Sequence, residues 1–402
     1  MDEIIGDAFA SMKATQIGPK LQNRRWEIDE HYRRNLVADI EGLGEDFVLW
    51  LKQTYYGLMK RKAAHPRIMA LRYIGAVGEI GAGNVLKSDI FDDTLIQDII
   101  RHAEGGSREE EQRLEASAAY ALLGIEIGRK DRKLIPIILQ VLNSFHNPLL
   151  LKNISKLPYD EKTVDVLISI LPDDFLYFRQ EGMKTIIEYS TSYWSSSALL
   201  EIGDERGIEA MVQSVLQHCS KDMGRNFSIL IENRAFSKYS DFLIEAGTPV
   251  VNHLIRATSS EDREVCRLAA ISLGKIGDNS AFDALAEYLN SDIAGAIFNG
   301  AIALGELGDP RAIPLLLPIL GVKAPGTVLS VVKGALKKLR QYWQPNEFIE
   351  VLNHVNEKVV IFAIDALKEI NDLSAVGPLT ALLESDNRKI QKSTKKALKK
   401  LR

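Results

Sequence analysis

Residues 264–320 carry the same phrase twice. Ala269-Ala270-x-x-Leu273-Gly274-x-Ile276-Gly277-Asp278 returns as Gly300-Ala301-x-x-Leu304-Gly305-x-Leu307-Gly308-Asp309, and each copy is followed by a second apolar run. Self-similarity at a short fixed period means stacked copies of one supersecondary unit, so it constrains the fold before anything else does. With the Leu of Leu-Gly-x-Ile-Gly as anchor, the phrase recurs at Leu273, Leu304, Leu336, Leu367 and Leu398, in steps of 31, 32, 31 and 31 residues. Four residues before the anchors stand Ala269, Gly300, Val332, Ala363 and Thr394, small or β-branched side chains that let two helices approach closely. Twelve and sixteen residues after them come Leu285 and Leu289, Leu316 and Leu320, Phe348 and Leu352, and Leu379 and Leu383. A spacing of four puts both members on one helical face.

Each unit therefore reads as helix, tight Gly-Asp turn, helix. Asp278, Asp309 and Asp372 are placed to cap the second helix, and Gly277 and Gly308 suit a left-handed position after the first. A lone hairpin cannot cover its own apolar face, and stacking neighbours buries a continuous core. The expected class is all-α. The unit resembles a HEAT repeat, particularly the short HEAT-like repeats of the phycobilisome (bilin) lyases, over residues 264–383. That resemblance implies an α-solenoid, a right-handed superhelical array of helical hairpins whose second helices line a concave binding surface.

The expected layout is one solenoid over 1–402, with a divergent helical cap at 1–66 and irregular repeats at 67–260. Regular repeats follow at 261–386, and a basic capping helix at 387–402 closes the array. Upstream, Val77-Gly78-Glu79-Ile80-Gly81, Ala118-Ala119-x-x-Leu122-Leu123-Gly124 and Ser195-x-x-x-Leu199-Leu200-Glu201-Ile202-Gly203-Asp204 echo the anchor phrase. Pro136 falls in the first turn of a second helix, and Asp160 stands where a helix cap belongs. Asp92-Asp93 and Asp173-Asp174 read as helix starts, where the macrodipole favours negative charge. Residues 173–190 are expected to add a helix out of phase with the repeat, and residues 220–240 read as irregular.

The net charge of −4 is too mild to name a partner, but its distribution is uneven. Residues 151–300 carry 14 basic and 22 acidic side chains, residues 301–402 carry 16 and 10. Two distant cysteines, Cys219 and Cys266, make neither a disulfide framework nor a zinc pattern. Cys266 occupies a position filled by Ile297, Leu329 and Val360 in later units, which predicts a buried hydrophobe. The N-terminal MDEIIGDAF lacks a signal pattern and no apolar run could span a bilayer, so a cytoplasmic location is expected.

No catalytic motif is present. Gly75-x-x-Gly78-x-x-Gly81-x-Gly83 superficially matches a phosphate-cradling loop, but it continues a helical phrase with no strand before it, so close helix packing explains it better. Seven scattered histidines form no metal-ligand set, and neither metal nor cofactor is expected. Tyr193 and Trp194 partly echo an aromatic phrase of the lyases, and the resemblance would make them tetrapyrrole contacts. Aromatics at helical spacing are more often core. Arg388–Arg402 holds eight basic residues and no acid, with Ile390, Thr394, Ala397, Leu398 and Leu401 as its apolar stripe. Arg388, Lys392, Lys395, Lys396 and Lys399 are thus either the solvated side of a cap or an anionic-surface contact.

The leading function is a non-enzymatic scaffold or adaptor that binds another protein on the concave face. Expected contacts are Glu209, Asp283 and Glu287 on the outer side of second helices. Leu315 and Pro318 join them, in a second helix, AIPLLLPIL, that lacks a polar side. Alternatives are a bilin lyase or tetrapyrrole chaperone, and a HEAT-like nucleic-acid-binding protein or DNA glycosylase.

Overall fold

The computed structural model describes residues 16–23, 29–82, 92–103, 109–129, 132–181, 184–224, 229–321 and 325–401. The chain divides into two compact units, Met1–Met211 and Val212–Arg402. Each is built of paired helices, and the fold is an all-α solenoid.

In the first unit, helices Glu30–Leu43 and Glu45–Met59 are joined by Gly44, whose φ of 50° reverses the chain. Helix Ala64–Glu79 lies against Glu109–Arg129 along a seam of glycines. A β-carbon on Gly78 would lie 2.4 Å from the Cα of Gly124, and one on Gly75 would lie 2.3 Å from the Tyr120 ring. The glycine-rich phrase is a helix crossing, as its context suggests; its last member, Gly83, lies outside the described residues. The buried Glu126 carboxylate accepts the backbone N–H groups of Arg132 (2.6 Å) and Leu134 (3.1 Å), and Pro136 sits in the first turn of Ile135–Phe145. Asp160 caps Glu161–Ile170 through the Thr163 N–H at 3.0 Å.

From Arg263 onward, the second unit repeats one pattern four times. The first helices are Arg263–Ile276, Ala296–Leu307, Gly326–Lys338 and Glu357–Ile370. Each is followed by a short second helix: Phe282–Leu289, Ala312–Leu316, Pro345–Glu350 and Val376–Ala381. Helix Arg388–Leu401 closes the series. Gly277 (φ 78°) and Gly308 (φ 77°) end the first two pairs' opening helices, and Asn371 (φ 60°) takes that left-handed role in the fourth. Asp278, Asp309 and Asp372 accept the N–H groups of Ser280 (2.9 Å), Arg311 (2.9 Å) and Ser374 (2.8 Å). First helices stack on first helices: β-carbons on Gly274 and Gly305 would come within 2.6 Å of the Ala303 Cα and 2.7 Å of the Ala335 Cβ.

Hydrogen bonds from Ser280, Arg311 and Ser374 hold Asp278, Asp309 and Asp372 below the ordinary carboxylate range. A carboxylate depressed in the folded state adds stability that is complete above the unfolded value, about 3.9 for Asp, and lost as pH falls towards the folded one. Melting temperature should therefore be flat above the carboxylate range and drop below it. Asp309→Asn should lower it at neutral pH, and the difference from the parent should vanish in acid; an undiminished difference would contradict the assignment.

Four expectations need correction. Residues 173–190 are not a helix: Leu176–Glu181 and Lys184–Tyr189 form an antiparallel two-stranded sheet, pairing Phe178 with Ile187 and Glu181 with Lys184. LYFRQE and KTIIEY are rich in the aromatic and β-branched residues that favour strands. Asp173 accordingly starts no helix; its carboxylate meets His146 Nδ1 at 2.6 Å and accepts the Thr191 hydroxyl at 3.0 Å. Residues 220–240 are largely helical, within Glu205–Met223 and Ile229–Ala246. Cys266, Leu329 and Val360 are buried as expected, but Ile297 is 37% exposed, because its helix begins at Ala296 and that first turn is uncovered.

Candidate functional site

The helical layers of the second unit differ in charge. Between Arg263 and Leu401, the second-helix segments, with their flanking 3-10 turns, carry Asp283, Glu287, Glu347, Glu350 and Glu384 against one base, Arg340. The five first helices carry fifteen Lys and Arg against five acids. Sorting by layer brings together charges that alternate along the chain, so one layer is net acidic and the other net basic.

On the acidic layer, Asp283 and Glu287 are one turn apart and exposed on Phe282–Leu289. Leu285, Tyr288 and Leu289 bury the opposite side of that helix. The nearest cation is Arg311, whose guanidinium lies 4.0 Å over the Phe282 ring and pairs with Asp309 at 2.7 Å. It reaches Asp283 only at 3.9 Å, which leaves the Asp283 side chain 93% exposed. In the following repeat Ile313, Leu316, Leu317 and Leu320 are buried, Leu315 is half-buried, and Pro314 and Pro318 are exposed. Lacking an N–H, Pro318 ends the α-helix, and a 3-10 turn, Pro318–Gly321, follows. Residues 322–324, which follow it, lie outside the described residues. Glu209 is half-buried on Glu205–Met223, in the first unit.

On the terminal helix the five stripe residues are buried, and Arg388, Lys392, Lys395, Lys396 and Lys399 are exposed. Asn387 caps it, accepting the Lys389 N–H at 2.9 Å, and Lys389 Nζ pairs with Glu357 at 3.0 Å.

Tyr193 and Trp194 are half-buried and engaged with their neighbours. The Tyr193 ring stacks on Tyr189 at 3.7 Å and meets Phe175 and Trp194 edge-on at 5.6 and 5.0 Å. Nearby, Ser192 and Ser195 donate to the backbone oxygens of Leu171 (2.9 Å) and Leu167 (2.6 Å).

Two features of the first unit had no sequence signal. Glu79 is buried, accepts the Tyr120 hydroxyl and faces Lys152 at 3.9 Å. A cavity of about 200 Å³ is lined by Leu21, His65, Met69, Arg72, Tyr73 and Tyr120. Both join residues far apart in sequence, and no local pattern encodes that. Among the described residues no group of His, Cys, Asp and Glu could hold a metal ion, and no helix is long and apolar enough to cross a membrane.

The family model described as HEAT repeats matches residues 251–337. These residues contain both copies of the duplicated phrase and the Asp283–Glu287 surface. Among solved structures, a Kap121p mutant with three acids replaced by lysine is similar over 99% of this chain and 49% of its own, at 10% identity and a TM-score of 0.53. Kap121p bound to Nup53p gives 98% and 45% coverage, 10% identity and 0.53. Kap121p bound to Pho4p gives 97% and 44%, 11% identity and 0.52. The chain spans about half the length of the Kap121p structures it matches, and identity this low makes the likeness one of fold alone. No curated protein matches the sequence.

Proposed function

We propose that the protein is a non-enzymatic scaffold whose HEAT repeats hold a basic segment of another protein against their second helices. The observation that carries this reading is the charge of that layer, five acids against one base, Arg340, between Arg263 and Leu401. A surface of one sign steers an oppositely charged partner and raises its association rate. Asp283 and Glu287 supply the exposed charge, and Leu315 and Pro318 an adjoining apolar contact. Helix Arg388–Leu401 acts as a cap on the last repeat of the second unit. Kap121p, of similar fold, has been captured with protein partners, which agrees with a protein-binding role. The internal engagement of the Tyr193 ring argues against the tetrapyrrole reading.

The test is binding of a lysine- and arginine-rich peptide. Asp283→Lys with Glu287→Lys should slow association about tenfold or more at low salt and leave dissociation nearly unchanged, with the effect shrinking as salt rises. Leu315→Asp should weaken binding while leaving the melting temperature within a few degrees. Unchanged association at low salt would remove this surface as the binding site. A large fall in melting temperature for Leu315→Asp would show that Leu315 belongs to the core.

A further inference from the structure

Arg388–Leu401 carries seven basic residues and no acid. A polar cap needs no such bias, since glutamate would solvate the surface equally well. The arrangement opposes helix stability. Arg388 and Lys392, Lys392 and Lys396, Lys395 and Lys399, and Lys396 and Lys400 are all like charges four residues apart, which repel on one helical face. Arg388 stands at the helix N-terminus, where the macrodipole disfavours a cation. Only Lys389 has an acidic partner, Glu357; the other six have none among the described residues. A helix that keeps this self-repulsion keeps it for an anion that relieves it.

We propose that this helix docks on the phosphate backbone of a nucleic-acid duplex. The cations extend along fourteen residues, about 20 Å of helix, too far to converge on one phosphate and suited to a row of them. A membrane surface fits less well. Ile390, Ala397, Leu398 and Leu401 are buried in packing, so the helix has no apolar side to insert between lipids. It also carries no aromatic side chain on which unpaired bases could stack, which favours a duplex over a single strand. The contact is to backbone alone and carries no base specificity. It is independent of the acidic layer, so the two readings can fail separately.

The experiment titrates the full chain with fluorescein-labelled DNA and RNA duplexes of random sequence at increasing salt, beside phosphatidylserine vesicles and a single strand. With four to five phosphates neutralised, log K should fall against log salt with a slope of about −4. Lys392→Gln, Lys395→Gln, Lys396→Gln and Lys399→Gln together should make the slope shallower by about 3 and weaken binding at 0.1 M salt by about a hundredfold or more. Glutamine keeps helix propensity and removes the repulsion, so the variant should melt no lower than the parent, which separates lost binding from lost folding. Equal binding of DNA and RNA duplexes, or preference for one, supports the proposal and names the source. Duplex binding that survives the four substitutions would overturn it. So would vesicle binding without duplex binding, a preference for the single strand, or no duplex binding at low salt.

Discussion

Gly78→Val should destabilise the first unit by about 3 kcal/mol. The added β-carbon would lie 2.4 Å from the Cα and 2.5 Å from the carbonyl oxygen of Gly124, both backbone atoms of the facing helix. A flexible side chain could swing away from such a contact. A backbone cannot, so helices Ala64–Glu79 and Glu109–Arg129 must separate, and the contacts of Ile74, Val77 and Leu122 along the crossing loosen with them. Hydrogen exchange over Ala64–Glu79 should report it as lost protection, and urea unfolding as an earlier first transition. Gly334 is the control. It is exposed within helix Gly326–Lys338, and nothing lies within 4 Å of where its β-carbon would be. Gly334→Ala should therefore gain about 1 kcal/mol from helix propensity alone. Equal effects at the two positions would mean that the Gly78–Gly124 approach is not as close as described.

Removing the chain after Leu383 should promote aggregation. The terminal helix buries Ile390, Leu398 and Leu401 against Glu357–Ile370 and the short helical segments before it. Loss of those three side chains alone removes roughly 6 kcal/mol of apolar burial. It also exposes the face of Glu357–Ile370 that they cover, Ala363 and Leu367 among it. In a repeat array each unit is stabilised by its neighbours, so the damage should spread to the last full pair before reaching Arg263–Ile276. Light scattering and a melt of the truncated chain measure this. A monomeric truncation that melts with the parent would show that Arg388–Leu401 is no cap.

The repeat was legible because periodicity reports burial one helix at a time. Leu273, Leu304, Leu336 and Leu367 are all fully buried, and the Gly-Asp turns do what their residue types predict, glycine taking the left-handed position and aspartate the next cap. The stripe of the terminal helix was likewise written in its spacing. The turn chemistry and the helical face are local properties, decided within about ten residues.

Other features depend on what faces a residue across space. Gly78 and Gly334 are the same residue in helical contexts, yet one meets a backbone at 2.4 Å and the other meets nothing. The hairpin at Leu176–Tyr189 forms because two segments of high strand propensity can pair with each other, and pairing is a long-range term that helical periodicity in the flanking repeats does not contain. Glu79 is buried with Tyr120, forty-one positions away, as its partner. The separation of acidic from basic layers combines the two levels. The excess of each sign alternates every fifteen or so residues along the sequence, and only the stacking of first helix on first helix makes one layer net basic and the other net acidic, because electrostatic fields add over space and not along the chain.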